Sequence, residues 1–286
     1  YGANGGHYNS TRTLIADLSG YQWIEIDPTT NFILRTMPLG SPLGFDTKIA
    51  VTTTDGTVIK LLANTELKIF ATYMENDLTI DLNGFTLTRT AANNLELGLN
   101  RSGVWSDDDR IIKFISSADE PGILDLTNNA NGIQPRPGTT VYFDNLDIRF
   151  NTLFFSDYGC KLISFNDCVI TGSRGNTLSQ VIGGGFDSVT ATKYTNAGNY
   201  REIVLEKTTV VNSRVARWTH AVNDNIRFTV KEGCTFDTGL PFSISDKGIG
   251  LANLELNIDL DTKFTSYALK FYELSGCQAY AVAINA

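Results

Sequence analysis

The chain has 286 residues, 42% of them hydrophobic and only 19% charged, with 23 basic against 31 acidic side chains and a net charge of −8. That is too apolar and too weakly charged for a disordered chain, and the negative balance, with no basic patch to outweigh it, opposes binding to nucleic acid or anionic lipid. No stretch approaches about 18 uninterrupted apolar residues, so no membrane insertion is expected.

The start, Tyr1-Gly2-Ala3-Asn4-Gly5-Gly6, has neither the basic end nor the apolar run of an export signal. Opening on Tyr1 rather than Met, it leaves an upstream piece, cleaved or left out, to be expected. Residues 1–48 are irregular, with a glycine-rich onset, a strand predicted at Tyr21 to Ile26 and a Pro38-Leu39-Gly40-Ser41-Pro42-Leu43-Gly44 loop. From Ile49 to Ile284, short β-branched and aromatic runs ending in Asn, Asp or Gly recur, and helical periodicity is scarce.

Within that region one frame repeats: two inward residues one apart, a polar pair, then two more inward residues one apart. It reads Ile80-x-Leu82-Asn83-Gly84-Phe85-x-Leu87, Val141-x-Phe143-Asp144-Asn145-Leu146-x-Ile148, Ile163-x-Phe165-Asn166-Asp167-Cys168-x-Ile170 and Ile203-x-Leu205-Glu206-Lys207-Thr208-x-Val210. Phe228-x-Val230-Lys231-Glu232-Gly233-Cys234-x-Phe236 and Leu256-x-Ile258 to Phe264 carry longer turns. The residues before the turns, 82, 143, 165, 205, 230 and 258, fit a coil of about 20 to 28 residues if the steps 82 to 143 and 165 to 205 each skip irregular coils. A strand, a polar corner and a second strand in one register are what stacked coils need, because each buries its apolar face only against the coils above and below. A β-sandwich also alternates inward and outward, but its strands are usually longer, and corners such as Glu206-Lys207 do not suit a two-residue hairpin.

The unit Leu78-Thr79-Ile80-Asp81-Leu82-Asn83-Gly84-Phe85-Thr86-Leu87 resembles the coil of right-handed parallel β-helix proteins of the pectate-lyase-like superfamily, which includes phage tailspikes. Tyr1-Gly2-Ala3-x-Gly5 is similar to the opening of such domains, but Gly6-His7-Tyr8-Asn9-Ser10-Thr11 then replaces the acidic residues that usually follow. The resemblance covers about residues 49 to 284. It implies an all-β, right-handed parallel β-helix over 49–286 with residues 1–48 as an irregular N-terminal cap, since an open end of stacked strands must be covered.

Three segments exceed a corner's needs and are expected to project as loops: Ala91 to Asp109, Asn128 to Gly138 and Gly183 to Tyr200. In the first, Trp105-Ser106-Asp107-Asp108-Asp109-Arg110 is the densest acidic cluster. Glycoside hydrolysis needs two carboxylates about 5 to 9 Å apart, and a neighbouring Trp can stack on a sugar. Asp107, Asp108, Asp109 and Arg110 are therefore the catalytic candidates, against the alternative of a solvated turn leading into Ile111-Ile112-Lys113-Phe114. Arg110 and Lys113 are spaced like fragments of related enzymes, but no supporting signature accompanies them. Arg214-Val215-Ala216-Arg217-Trp218-Thr219-His220 places Arg214, Ala216, Trp218 and His220 on one face of a strand. With Trp105 and Arg217, these side chains are the candidates for contact with a glycan or a neighbouring subunit.

Gly183-Gly184-Gly185 lacks the Lys-Ser/Thr of a phosphate loop, and Asn9-Ser10-Thr11 matches a glycosylation acceptor. Cys160, Cys168, Cys234 and Cys277 form no CxxC pair, so neither a metal nor a cofactor is expected, and Cys168 and Cys234 read as interior thiols not bridged to each other. The functional expectation is a structural or receptor-binding surface protein, extracellular or on a virion, that forms a homo-oligomer (trimer or filament) and engages cell-surface polysaccharide. A polysaccharide lyase or glycosidase, or a filament subunit, is the alternative. The oligomer is expected because Trp105, Trp218 and the many Tyr and Phe residues exceed what one narrow core holds.

Overall fold

The computed structural model describes residues 17–40, 56–67, 77–89, 95–97, 110–128, 131–135, 138–156, 160–175, 178–183, 200–218, 225–238, 242–244, 253–265, 269–271 and 281–285. Among them every regular element is a strand.

The strands fall into three parallel series. The first comprises β3 (Thr57–Leu61), β5 (Leu78–Asp81), β8 (Ile111–Ile115), the first halves of β11 (Thr140–Phe150) and β13 (Leu162–Gly172), β15 (Arg201–Glu206), β18 (Asn225–Val230), β21 (Asn253–Ile258) and β24 (Ala281–Asn285). The second comprises β4 (Thr65–Leu67), β6 (Thr86–Arg89), β9 (Gly122–Leu126), the second halves of β11 and β13, β16 (Thr209–Val211), β19 (Thr235–Asp237) and β22 (Lys263–Phe264). Because β11 and β13 run through the corner, these two series, together with β1 (Tyr21–Ile26) and β2 (Ile33–Pro38), count as one 17-stranded sheet. The third, a separate 7-stranded sheet, comprises β7 (Leu95–Leu97), β10 (Asn131–Pro135), β12 (Leu153–Ser156), β14 (Gln180–Gly183), β17 (Arg214–Trp218), β20 (Phe242–Ile244) and β23 (Leu269–Phe271). Each strand lies beside its equivalent one coil later, an all-β arrangement of long parallel sheets compatible with a β-helix. At one end β1 (Tyr21–Ile26), on the residues predicted as a strand, pairs antiparallel with both β2 (Ile33–Pro38) and β3. Its Trp23 and Ile24 join Met37 in the interior.

The corner between the first two series is set by one residue. In β11 the inward positions are Val141 and Phe143, then Leu146, Ile148 and Phe150, so the alternation resets at Asn145. Asn145 has φ 54°, and the residues stacked on it, Asp167 and Lys207, have φ 51° and 45°. This left-handed conformation is accessible to Asn and Asp and costly for most other side chains. It turns the chain without spending a loop.

Three corrections to the sequence reading follow from register. First, Ile80 lies beside Phe114 and Phe114 beside Phe143, so Ile80, not Leu82, is the equivalent of Phe143. Leu82, Asn83 and Gly84 form a wider corner, and the buried Leu82 fills space that Gly122 leaves open: a Cβ on Gly122 would fall 2.4 Å from the Leu82 Cβ. Second, the step from 82 to 143 does skip a coil, that of β8 and β9, but Phe165 lies directly beside Leu205, so the step from 165 to 205 is one long coil. Third, the expected loops Ala91 to Asp109 and Asn128 to Gly138 contain β7 and β10 of the third series.

The core is continuous. Among the inward positions of the repeating frame, Ile80, Leu82, Leu87, Phe143, Ile148, Phe165, Ile170, Leu205, Val210, Val230 and Phe236 belong to it, and Phe85 is partly buried against it. Phe143 stacks between Phe114 at 5.4 Å and Phe165 at 4.9 Å, ring planes within 13° and 10° of parallel, while Phe154 meets it edge-on at 5.2 Å. Phe114, Phe143, Phe150, Phe154, Phe155, Phe165, Phe228 and Phe236 are all interior. Eight of the sixteen phenylalanines of the expected aromatic surplus are therefore accommodated inside, while Phe32 is exposed.

Asparagine amides tie successive coils together. Asn145 Nδ2 donates to Ala118 O at 2.9 Å, Asn151 Nδ2 to Thr127 O at 3.1 Å and Asn212 Nδ2 to Gly172 O at 2.9 Å. Each satisfies a carbonyl that turns out of the ladder at a corner.

Candidate functional site

The outward positions of the first series form columns, because strands in register stack equivalent side chains at about 4.8 Å. One column runs Thr79, Lys113, Tyr142, Ser164, Val204, Thr229. Beside it runs Asp81, Ile115, Asp144, Asn166, Glu206. Where the two cross β8, β11 and β13 they border an open groove of about 380 Å³.

Exposed Ile111 and half-buried Ile115 give this groove apolar walls, and Tyr142 lies between them with the Lys113 Nζ 5.8 Å from its ring centroid. Asn166 Nδ2 donates to Asp144 Oδ1 at 2.6 Å, fixing a carboxylate and an amide side by side. Among the described residues, the Tyr142 and Ser164 hydroxyls and the Lys113 ammonium make no hydrogen bond. Aromatic surface beside unengaged donors and acceptors suits a ligand that is itself apolar on its faces and polar at its rim.

Further along the same face the charges are spent on one another. Arg227 bridges two coils, donating to Glu202 Oε1 and Glu255 Oε1, both at 3.0 Å, with its guanidinium 4.5 Å from the Tyr200 ring centroid. Lys231 Nζ donates to Glu206 Oε2 at 2.9 Å beside a second groove of about 610 Å³, bordered also by Glu232, Asp259 and the exposed Leu260. Acid catalysis at a glycosidic bond requires a carboxyl held protonated. Here the opposite holds: the Lys231 hydrogen bond pulls Glu206 below its usual range. Glu255 is lowered by hydrogen bonds from Asn257 and then Arg227.

Of the candidate site residues named from the sequence, Arg110, Arg214, Arg217 and Trp218 fall among the described residues. Trp105, Asp107, Asp108, Asp109 and His220 lie outside the described residues. Arg110 is half-buried just before β8, its carbonyl accepting from the Thr140 amide at 2.7 Å, and alternation puts it on the face opposite Lys113. On β17, half-buried Arg214 stands in register with Gln180 of β14, and Arg217 and Trp218 are in register with Ser243 and Ile244 of β20. Ala216, between them, is fully buried.

Cys168 and Cys234 are buried free thiols, as is Cys160. Cys168 and Cys234 share a column with Thr208 between them, two strand spacings or about 10 Å apart, beyond the roughly 7 Å Cα limit for a bridge. Burial pushes the Cys168 thiol up to about 12. Among the described residues no group of three or more His, Cys, Asp or Glu side chains could hold a metal ion.

Lys113, Tyr142, Ser164 and Asn166 were missed as a group. The signal was available: the x positions of the repeating frame stack by definition, and reading them in coil order yields Tyr142 and Ser164. Lys113 was lost because Ile112-x-Phe114 was not recognised as a copy of the frame.

Comparison with protein-family models, with curated proteins and with solved structures finds no match.

Proposed function

We propose that the three strand series wind as a right-handed parallel β-helix of the pectate-lyase-like kind, and that the protein is a tailspike- or fibre-like surface rod. It works outside the cell or on a virion, as a homo-oligomer that engages cell-surface glycans through a lateral face. The observation that carries this reading is the groove over β8, β11 and β13, which offers unengaged polar groups and an aromatic side chain on a rigid stack of strands. Rigid placement lowers the ordering cost of binding. Among the described residues Asp144 is the single carboxylate lining this groove, where glycoside hydrolysis uses two, and this supports holding a glycan rather than cutting it.

Mass photometry with a glycan-degradation assay tests this. The expected result is one closed oligomer that retains a polysaccharide without shortening it. A strictly monomeric protein that cleaves polysaccharide would sink the proposal in favour of a lyase or glycosidase, and assemblies growing without limit would replace it with a filament subunit.

A further inference from the structure

We infer that the groove over β8, β11 and β13 is the seat of an uncharged, hydroxyl-rich polysaccharide strand lying along the stack axis. This deepens the glycan-binding reading and rests on it.

Three features set the ligand class. Among the described residues that line the groove, Lys113 and Asp144 contribute one charge each and balance, on a chain of net charge −8 whose overall field repels an acidic polymer at long range. Asp144 and Asn166, locked at 2.6 Å, present a carboxylate oxygen and an amide oxygen on adjacent coils. Such acceptors suit two neighbouring hydroxyls, and a charged acceptor strengthens each bond. Tyr142 offers a ring beside them, with Ile111 as an apolar wall, against which the C–H face of a pyranose can lose water.

The direction follows from the columns. Lys113, Tyr142 and Ser164 succeed one another at strand spacing, as do Ile115, Asp144 and Asn166. This repeat is comparable to the length of one sugar unit, so a strand laid along the axis meets a new pair of side chains at each residue, whereas one laid across it leaves the groove after a single coil.

The test uses the full chain on an array of neutral and uronate-bearing polysaccharides, followed by calorimetry with Tyr142→Ala, Asn166→Ala and, as a control on the same sheet, Thr229→Ala. Circular dichroism checks that each variant folds. Expected is selective retention of neutral polymers, weakened at least tenfold by Tyr142→Ala and Asn166→Ala and unchanged by Thr229→Ala. Binding that survives both groove variants would overturn the groove assignment while leaving glycan binding in place. Retention of uronate polymers alone, abolished by Lys113→Ala, would overturn the ligand class. No retention of any polysaccharide would remove the glycan-binding reading itself, and this inference with it.

Discussion

Phe143 concentrates the stabilisation of the middle coils, since it stacks on Phe114 and Phe165 and also meets Phe154 and Phe155. Truncating it removes a ring from four contacts at once and leaves a cavity that coils pinned above and below cannot close. Phe143→Ala should therefore cost about 3 to 5 kcal/mol, read as a lowered urea midpoint. A loss below about 1 kcal/mol would mean that the ring is not packed in the core. Inward residues such as this one were legible in the sequence because period-two alternation and the polar corner together define a face. Leu82 was misplaced for a physical reason. A one-residue corner and a three-residue corner can leave the same number of residues between apolar pairs, and only the neighbour, Gly122, reveals which of them the side chain has filled.

At the scale of elements, most of the first two series was legible, whereas the third was read as a strand only at β17. Its strands carry Gly132, Pro135 and Gly183, which weaken a strand signal and read as loop. Gly132 is required by contact rather than by dihedral: a Cβ there would lie 1.9 Å from the Phe154 carbonyl oxygen. Backbone cannot yield as a flexible side chain does, so Gly132→Ala should destabilise by about 3 kcal/mol or more. Insoluble or protease-sensitive protein from this variant, beside a soluble Gly20→Ala control whose Cβ meets nothing within 4 Å, is the expected outcome. An unchanged melting temperature would contradict the close approach. The ladder around Arg227 makes a prediction about pH. Glu255, held below its ordinary value of 4.5 by Asn257 and then Arg227, has a depressed folded pKa. Its contribution is complete above about pH 4.5 and is lost as pH falls through the lower folded value. Glu255→Gln should thus narrow the gap in denaturant midpoint between neutral and acidic buffer. The gap would stay the same if the ladder contributed nothing. The groove was less legible than the sheets because its members lie on three different coils, and sequence adjacency, which drew attention to the Asp107 to Arg110 cluster, carries no information about stacking.

Over the whole molecule each strand rests on its parallel neighbours, so the long segment between Phe165 and Leu205 is tolerated where the series stay in register. The antiparallel hairpin of β1 and β2 breaks that repetition. A parallel strand seeking to continue the sheet beyond β3 finds β1 already there, running the other way, with Pro38 closing β2 beyond it. That edge of β3 is consequently closed to further parallel pairing. As a ribosome releases the chain from its amino end at about 5 to 20 residues per second, the hairpin and β3 are available first, and every later coil has one finished edge to settle on. Synthesis order and template order coincide, which spares the nascent protein a search among the many equivalent edges that a repetitive sheet would otherwise present.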